Sequence, residues 1–185
     1  TAKAAGLLTL GYAISIVLFI RVGEKLLQRF GARKPMIWGS LIVGVAIILL
    51  MFTNVMTGTY KILAIISYTL FGIGLAFYAT PSTDAALSNL PESQAGSGSG
   101  IYKMASSLGA AFGVAISAGV FATLNVGDNI TWMDGVLTFV GRQDNVAIRQ
   151  AATIALGVNL MMIIMAIVSI MITIPKSGGK LKKDK

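Results

Sequence analysis

The chain has 185 residues, 55% of them hydrophobic and 12% charged, with a mean hydropathy of +0.79. A soluble domain of this length would need a surface made largely of Leu, Ile and Ala, so the balance excludes one and indicates an integral membrane protein. The net charge is +8, but ten of the fifteen Lys and Arg lie in two clusters beside apolar runs, which reads as membrane anchoring and excludes a nucleic-acid partner.

The chain opens Thr1-Ala2-Lys3, enters an apolar run at once and carries no signal-peptide pattern, so it is expected to be the C-terminal part of a longer protein. Apolar runs occupy about 4–20, 36–53, 60–80, 100–124 and 151–174. Each approaches the ~17–25 residues a transmembrane helix needs. Lipid offers no partner to an unpaired backbone group, so an open chain crosses it only as helices. The expected fold is an all-α integral membrane protein with five transmembrane helices.

Between the first two runs, 21–35 reads as a basic loop containing Arg21, Lys25, Arg29, Arg33 and Lys34. A short connection this cationic stays in the cytoplasm. The connection 54–59 has no Lys or Arg, and neither does 81–99, which holds Asp84 and Glu92. The loop 125–150 sets Arg142 and Arg149 against Asp128, Asp134 and Asp144, and the tail 175–185 holds five lysines. Five crossings place both cationic clusters and the C-terminus on the cytoplasmic face of a multi-pass cell-membrane protein.

Pro81 is expected to end or kink the third span. The run Gly96-Ser-Gly-Ser-Gly100 reads as a flexible lead-in to the fourth, since it lacks the Gly-Lys-Ser/Thr ending of a phosphate loop. Within 125–150, Asp134-Gly135 is a two-residue hairpin signal that sets Trp132 opposite Leu137 and Ile130 opposite Phe139. An extracellular β-hairpin is expected there, with a short interfacial helix as the alternative. Asn129-Ile-Thr131 fits a glycosylation acceptor, a short pattern common by chance.

Cys and His are absent, which excludes disulfides, thiol chemistry, imidazole acid–base catalysis and His-type metal sites. No carboxylate pair lies inside a span, so an enzyme is not expected, and neither is a metal or cofactor. Ala105, Gly109, Gly113 and Ser117 recur at spacing four and form one small-residue face, suited to static packing or to a contact that glides. Lys103 is the only charge well inside an apolar run; it either snorkels to the nearby end or faces a cavity. Asp84 can pair with Arg21, Lys25 or Arg29 to latch the cytoplasmic face, with Glu92 competing, or it is a solvated loop carboxylate. Tyr12, Phe19, Phe71, Phe77, Tyr78, Tyr102, Met104 and Phe112 can line an apolar cavity receptive to organic cations, or pack and face lipid. Asn159, a lone amide in the last span, is expected to bond another helix.

Two stretches carry a resemblance. Gly23 to Pro35 resembles the basic signature loop of the major facilitator superfamily, Gly-x-Leu-x-Asp-Arg-x-Gly-x-Arg, in its weaker C-terminal form. Leu26, Arg29, Gly31, Arg33 and Lys34 match, while Glu24 and Gln28 replace the motif's first Gly and its Asp. The stretch from Ala95 to Ile116 is similar to the penultimate helix of the fourteen-span drug:proton antiporters of that superfamily. The long loop before the last span and the lysine tail also fit. The resemblance implies spans ten to fourteen of fourteen, the C-terminal bundle of a proton-coupled exporter of amphipathic or cationic drugs. It further implies a third span that lines the cavity, with Phe71, Phe77 and Tyr78 as the favoured contacts, and second and fifth spans that face lipid. Relatives often carry an acidic group near Lys103, and a Lys there argues against direct cation binding. The implied partners are the lipid bilayer, small-molecule drugs, protons and the N-terminal remainder of the transporter, with the proton-carrying carboxylates in that remainder. A selective metabolite, lipid or tetracycline exporter on the same fold is one alternative, and a non-transporting membrane scaffold is another.

Overall fold

A computed structural model describes residues 2–88, 90–125 and 145–176. The described residues are helical apart from short connections: α1 (Ala2–Phe30), α2 (Arg33–Met51), α3 (Thr57–Leu87), a 3₁₀ turn (Glu92–Gln94), α4 (Ala95–Asn125) and α5 (Val146–Thr173). Four segments among them are long and apolar enough to cross a membrane: α2, α3, Glu92–Asn125 and α5. The hairpin expected at 130–139, its interfacial-helix alternative and the glycosylation pattern lie outside the described residues.

The helices overrun the apolar runs, and three expectations change as a result. The basic stretch 21–35 is not a loop. α1 continues to Phe30, and α2 begins at Arg33 after a two-residue turn. Glu, Lys, Leu, Gln and Arg are good helix formers, so the chain leaves the apolar zone without leaving the helix. Gly31 ends it. Its φ of 73° is a conformation only glycine adopts without strain, and its N–H returns to Leu27 O at 2.8 Å. Pro35 falls in the first turn of α2, where no intrahelical partner for an N–H is lost.

Pro81 does not end α3, which runs six residues further to Leu87. The proline is fully buried, and the hydroxyl of Thr83 donates to Ala79 O at 3.0 Å in the turn around it. The glycine run Gly96–Gly100 is not a flexible lead-in either, because it forms the first turns of α4. Each glycine costs a helix about 1 kcal/mol relative to alanine, less than leaving backbone groups unpaired at a membrane boundary.

α3 sits between α1 and α2. α2 then packs on α5, and α5 carries α4. The closest approaches are glycine contacts. A Cβ on Gly39 would fall 2.5 Å from Gly74 O, one on Gly74 2.7 Å from Gly39 O, and one on Gly72 2.5 Å from Tyr12 O. Gly23 is similarly pressed against Ala76 O. Ser67 donates to Ala46 O in the same α2–α3 seam. Packing of backbone on backbone holds helices together in lipid, where burying apolar side chains gains nothing. α2 and α5 each keep an exposed apolar stripe, Leu41, Val45 and Ile48 on one and Met161, Met165, Val168 and Ile172 on the other.

Candidate functional site

Arg33 starts α2, and its guanidinium donates to Met171 O in the last turn of α5 at 2.8 Å. The basic turn and the helix end leading into the lysine tail therefore share one end of the bundle. Arg21 and Lys25 lie four apart on α1 and are exposed. Phe30 gathers the cations that follow. Arg29 Cζ lies 5.3 Å and Lys34 Nζ 5.6 Å from its ring centroid, and Trp38 meets it edge-on at 5.3 Å. An aromatic face attracts a cation at this range.

The latch expected from Asp84 is not formed. Among the described residues no ion pair joins Asp84 or Glu92 to Arg21, Lys25, Arg29 or Arg33. Because α3 stays helical past Pro81, Asp84 sits exposed on a regular helical turn and not on a loop able to fold back over α1. Glu92 is exposed at the start of the 3₁₀ turn.

The aromatic candidates divide. Phe71 meets Tyr12 of α1 with ring centroids 5.8 Å apart, and Phe77 lies in the α3 surface against Gly23 and Gly39. Tyr78 is half-buried beside Gly39. The Phe71 ring and the backbone of Phe77 and Tyr78 thus lie in the seams between α3 and its neighbours. Tyr102 is half-buried on α4, its hydroxyl 2.9 Å from Ser82 Oγ of α3. Lys103, Met104 and Phe112 are exposed on α4, Phe112 by 65%.

The small-residue face of α4 meets little within this chain. Added Cβ atoms on Gly109 and Gly113 would have nothing within 4 Å, and Ala105 is exposed. Ser117 alone engages a neighbour, its one hydroxyl proton shared between Asn159 Oδ1 of α5 at 2.7 Å and Gly113 O at 2.8 Å. That bond gives Asn159 the interhelical partner its sequence position called for. Of the α4 window that could cross a membrane, 0% is buried, so the helix hangs on α5 with most of its circumference uncovered.

At the opposite end lies a polar cluster that sequence reasoning missed. Arg149, in the first turn of α5, donates Nε to Thr53 O at 2.7 Å and Nη2 to Thr53 O and Val55 O. Thr53 and Thr153 pair hydroxyls at 2.7 Å, and Thr153 reaches Met51 O at 3.2 Å. Tyr60 donates to Leu50 O at 3.1 Å. Thr53, Thr153 and Gln150 are buried. Met51 O at the end of α2 and the carbonyls of the turn after it thus find donors on α5, and Leu50 O finds one on α3, where a helix end would otherwise be left unsatisfied. The α5 donors and their acceptors are 94 or more apart in sequence, and Arg149 alone reads only as a loop-end charge.

Residues 1–185 match the family described as Major Facilitator Superfamily. Among curated relatives, the quinolone resistance protein NorB of Staphylococcus aureus strain MRSA252 is 42% identical over 174 residues, covering 94% of this chain and 34% of that protein. NorB of strain bovine RF122 / ET3-1 is 44% identical over 176 residues with the same coverage, and NorB of strain JH9 is 47% identical over 148 residues, 74% of this chain and 32% of its own length. The chain spans about a third of the length of these relatives.

Proposed function

The chain belongs to the major facilitator superfamily, and on that premise we propose that it is the C-terminal bundle of a proton-coupled multidrug exporter working by alternating access. The observation that carries this reading is the sustained identity, over nearly the whole chain, to proteins named for quinolone resistance. All five helices cross the membrane in this reading, with the end holding Arg33 and Met171 cytoplasmic, because a short cationic connection is retained there.

The rest of the exporter covers α4. Gly109 and Gly113 present a smooth, unoccupied face in a helix with no burial of its own, and the relatives are about three times as long as this chain. That face is where the N-terminal remainder packs and slides. No Asp or Glu lies in the middle of α2, α3, α4 or α5, so proton carriage falls to carboxylates in the remainder.

Energised inverted vesicles holding the whole transporter test the reading. Accumulation of ethidium or a quinolone that an uncoupler abolishes is the expected result. Failure to move any amphipathic drug overturns it.

A further inference from the structure

The turn between α1 and α2 gathers positive charge that is not neutralised. Arg29, in the last turn of α1, and Lys34, in the first turn of α2, converge on the Phe30 ring at 5.3 and 5.6 Å from its centroid, with Trp38 at the edge of that ring. Both cations are exposed. Glu24 is the only acidic residue before Asp84, and among the described residues neither Arg29 nor Lys34 has an ion pair. Arg33, between them in sequence, is committed to Met171 O. The ring attracts the two charges without cancelling them.

An apolar stripe starts where this cluster ends. Trp38, Leu41, Val45 and Ile48 recur at steps of three and four along α2, which is one face of a helix, and each is between 39% and 52% exposed. The small and polar residues Gly39, Ser40 and Gly44 are buried on the other side. At 1.5 Å per residue the stripe runs about 15 Å, the depth of one leaflet in a hydrocarbon core about 30 Å thick.

Three zones therefore follow one another along the helix: uncompensated positive charge, an indole, and an apolar strip one leaflet deep. A soluble anion satisfies only the first. A choline lipid satisfies the last but brings its own cation to the first. A phospholipid with a phosphodiester and no ammonium matches all three, and an indole is at home at the level where headgroup meets acyl chain.

We infer that the basic end of α2 is a binding site for one anionic phospholipid of the phosphatidylglycerol type. Its phosphate lies between Arg29 and Lys34, its glycerol backbone against Trp38, and one acyl chain along Leu41, Val45 and Ile48. The site rests on this face of α2 meeting lipid and is independent of what the transporter carries.

The test uses the whole transporter with every tryptophan except Trp38 replaced by phenylalanine, reconstituted in phosphatidylcholine with a varied share of phosphatidylglycerol. Bromine on the acyl chains of one lipid or the other quenches Trp38 by contact, so the two quenching levels give the relative occupancy beside it. Phosphatidylglycerol is expected to be favoured about tenfold or more, since each cation near the surface contributes about fivefold. Arg29→Gln and Lys34→Gln should each lower the preference about fivefold, and together they should abolish it. Lys61→Gln, which removes an exposed charge near the start of α3 at the opposite end of the bundle, should leave it unchanged. Equal quenching by the two lipids in the parent, a preference that survives the double variant, or an equal loss in Lys61→Gln overturns the site. Absence of quenching by either lipid overturns it too, because protein then covers Trp38. Where the single-tryptophan protein does not fold, native mass spectrometry of the wild type compares retained phosphatidylglycerol with retained phosphatidylcholine. Selective retention that the Arg29→Gln, Lys34→Gln pair abolishes supports the site, and retention without selectivity or unaffected by the pair overturns it.

Discussion

Arg33 and Arg149 hold opposite ends of the same helix pair, Arg33 reaching a closing carbonyl of α5 and Arg149 the carbonyls of the turn that follows α2. Arg33 of α2 donates to Met171 O of α5, and Arg149 of α5 forks onto Thr53 O and Val55 O beyond α2. A helix C-terminus carries about −0.5 of an elementary charge on carbonyls without intrahelical partners, so a guanidinium satisfies both the charge and the lone pairs. The antiparallel α2–α5 pair is pinned at both ends, which suits it to move as one piece.

Arg149→Lys is therefore expected to destabilise the protein by about 1.5–3 kcal/mol, because an ammonium lacks the planar fork that sets Nε and Nη2 on Thr53 O while Nη2 also reaches Val55 O. Arg33→Ala, at a more exposed bond, should cost about 1 kcal/mol. Thermal unfolding in detergent, followed by Trp38 and Trp132 fluorescence, reads both. The sites are a helix length apart and share no partner, so the double variant should lose the sum within about 0.5 kcal/mol.

Gly74→Val is expected to be far more damaging than Gly109→Val within this bundle. The first forces a Cβ to 2.7 Å from Gly39 O between packed backbones, and the second meets nothing within 4 Å. Overpacking of a tight seam costs about 1–3 kcal/mol, and here the obstacle is backbone that cannot rotate aside. Yield of folded protein after extraction should fall for Gly74→Val and hold for Gly109→Val.

The contrast shows where the residues spoke for themselves. Helices were legible because lipid permits nothing else to an open chain, and Asn159 was legible because a lone amide in an apolar run needs a partner, which Ser117 supplies. Helix ends were not. Charge marks where a run leaves the apolar zone, whereas Gly31 and its positive φ mark where the helix stops, ten residues after Arg21. The glycine seams were hidden for another reason. Gly109 and Gly113 carry the spacing of a packing face and Gly39, Gly72 and Gly74 do not, so only knowing that α3 sits between α1 and α2 picks out the latter as the tight contacts. Arg149 was opaque because its acceptors are about a hundred residues away.

Asp84→Asn should leave the melting temperature of the bundle unchanged, within about 0.5 kcal/mol. The carboxylate is exposed on α3 and has no ion pair among the described residues. A latch between Asp84 and Arg21, Lys25 or Arg29 would have to form in another conformation of the transporter. Drug efflux separates the two cases: wild-type turnover in Asp84→Asn removes the latch from the mechanism, and a loss of turnover at unchanged stability retains it.

Gly109→Leu makes the sharpest separation between folding and function. Among the described residues nothing lies within 4 Å of the new Cβ, so membrane insertion and the unfolding transition of the bundle should match the parent protein. Under the proposed exporter reading, the same leucine would stand on the smooth face between Ala105 and Gly113, where the N-terminal remainder is proposed to approach closely and slide. Uncoupler-sensitive drug efflux is expected to be lost while the protein reaches the membrane at normal levels. The smaller Gly109→Ala should keep most of it, because a methyl group adds little height to a face that already carries Ala105. Normal efflux with leucine at 109 would mean that the uncovered side of α4 faces lipid and not the N-terminal remainder.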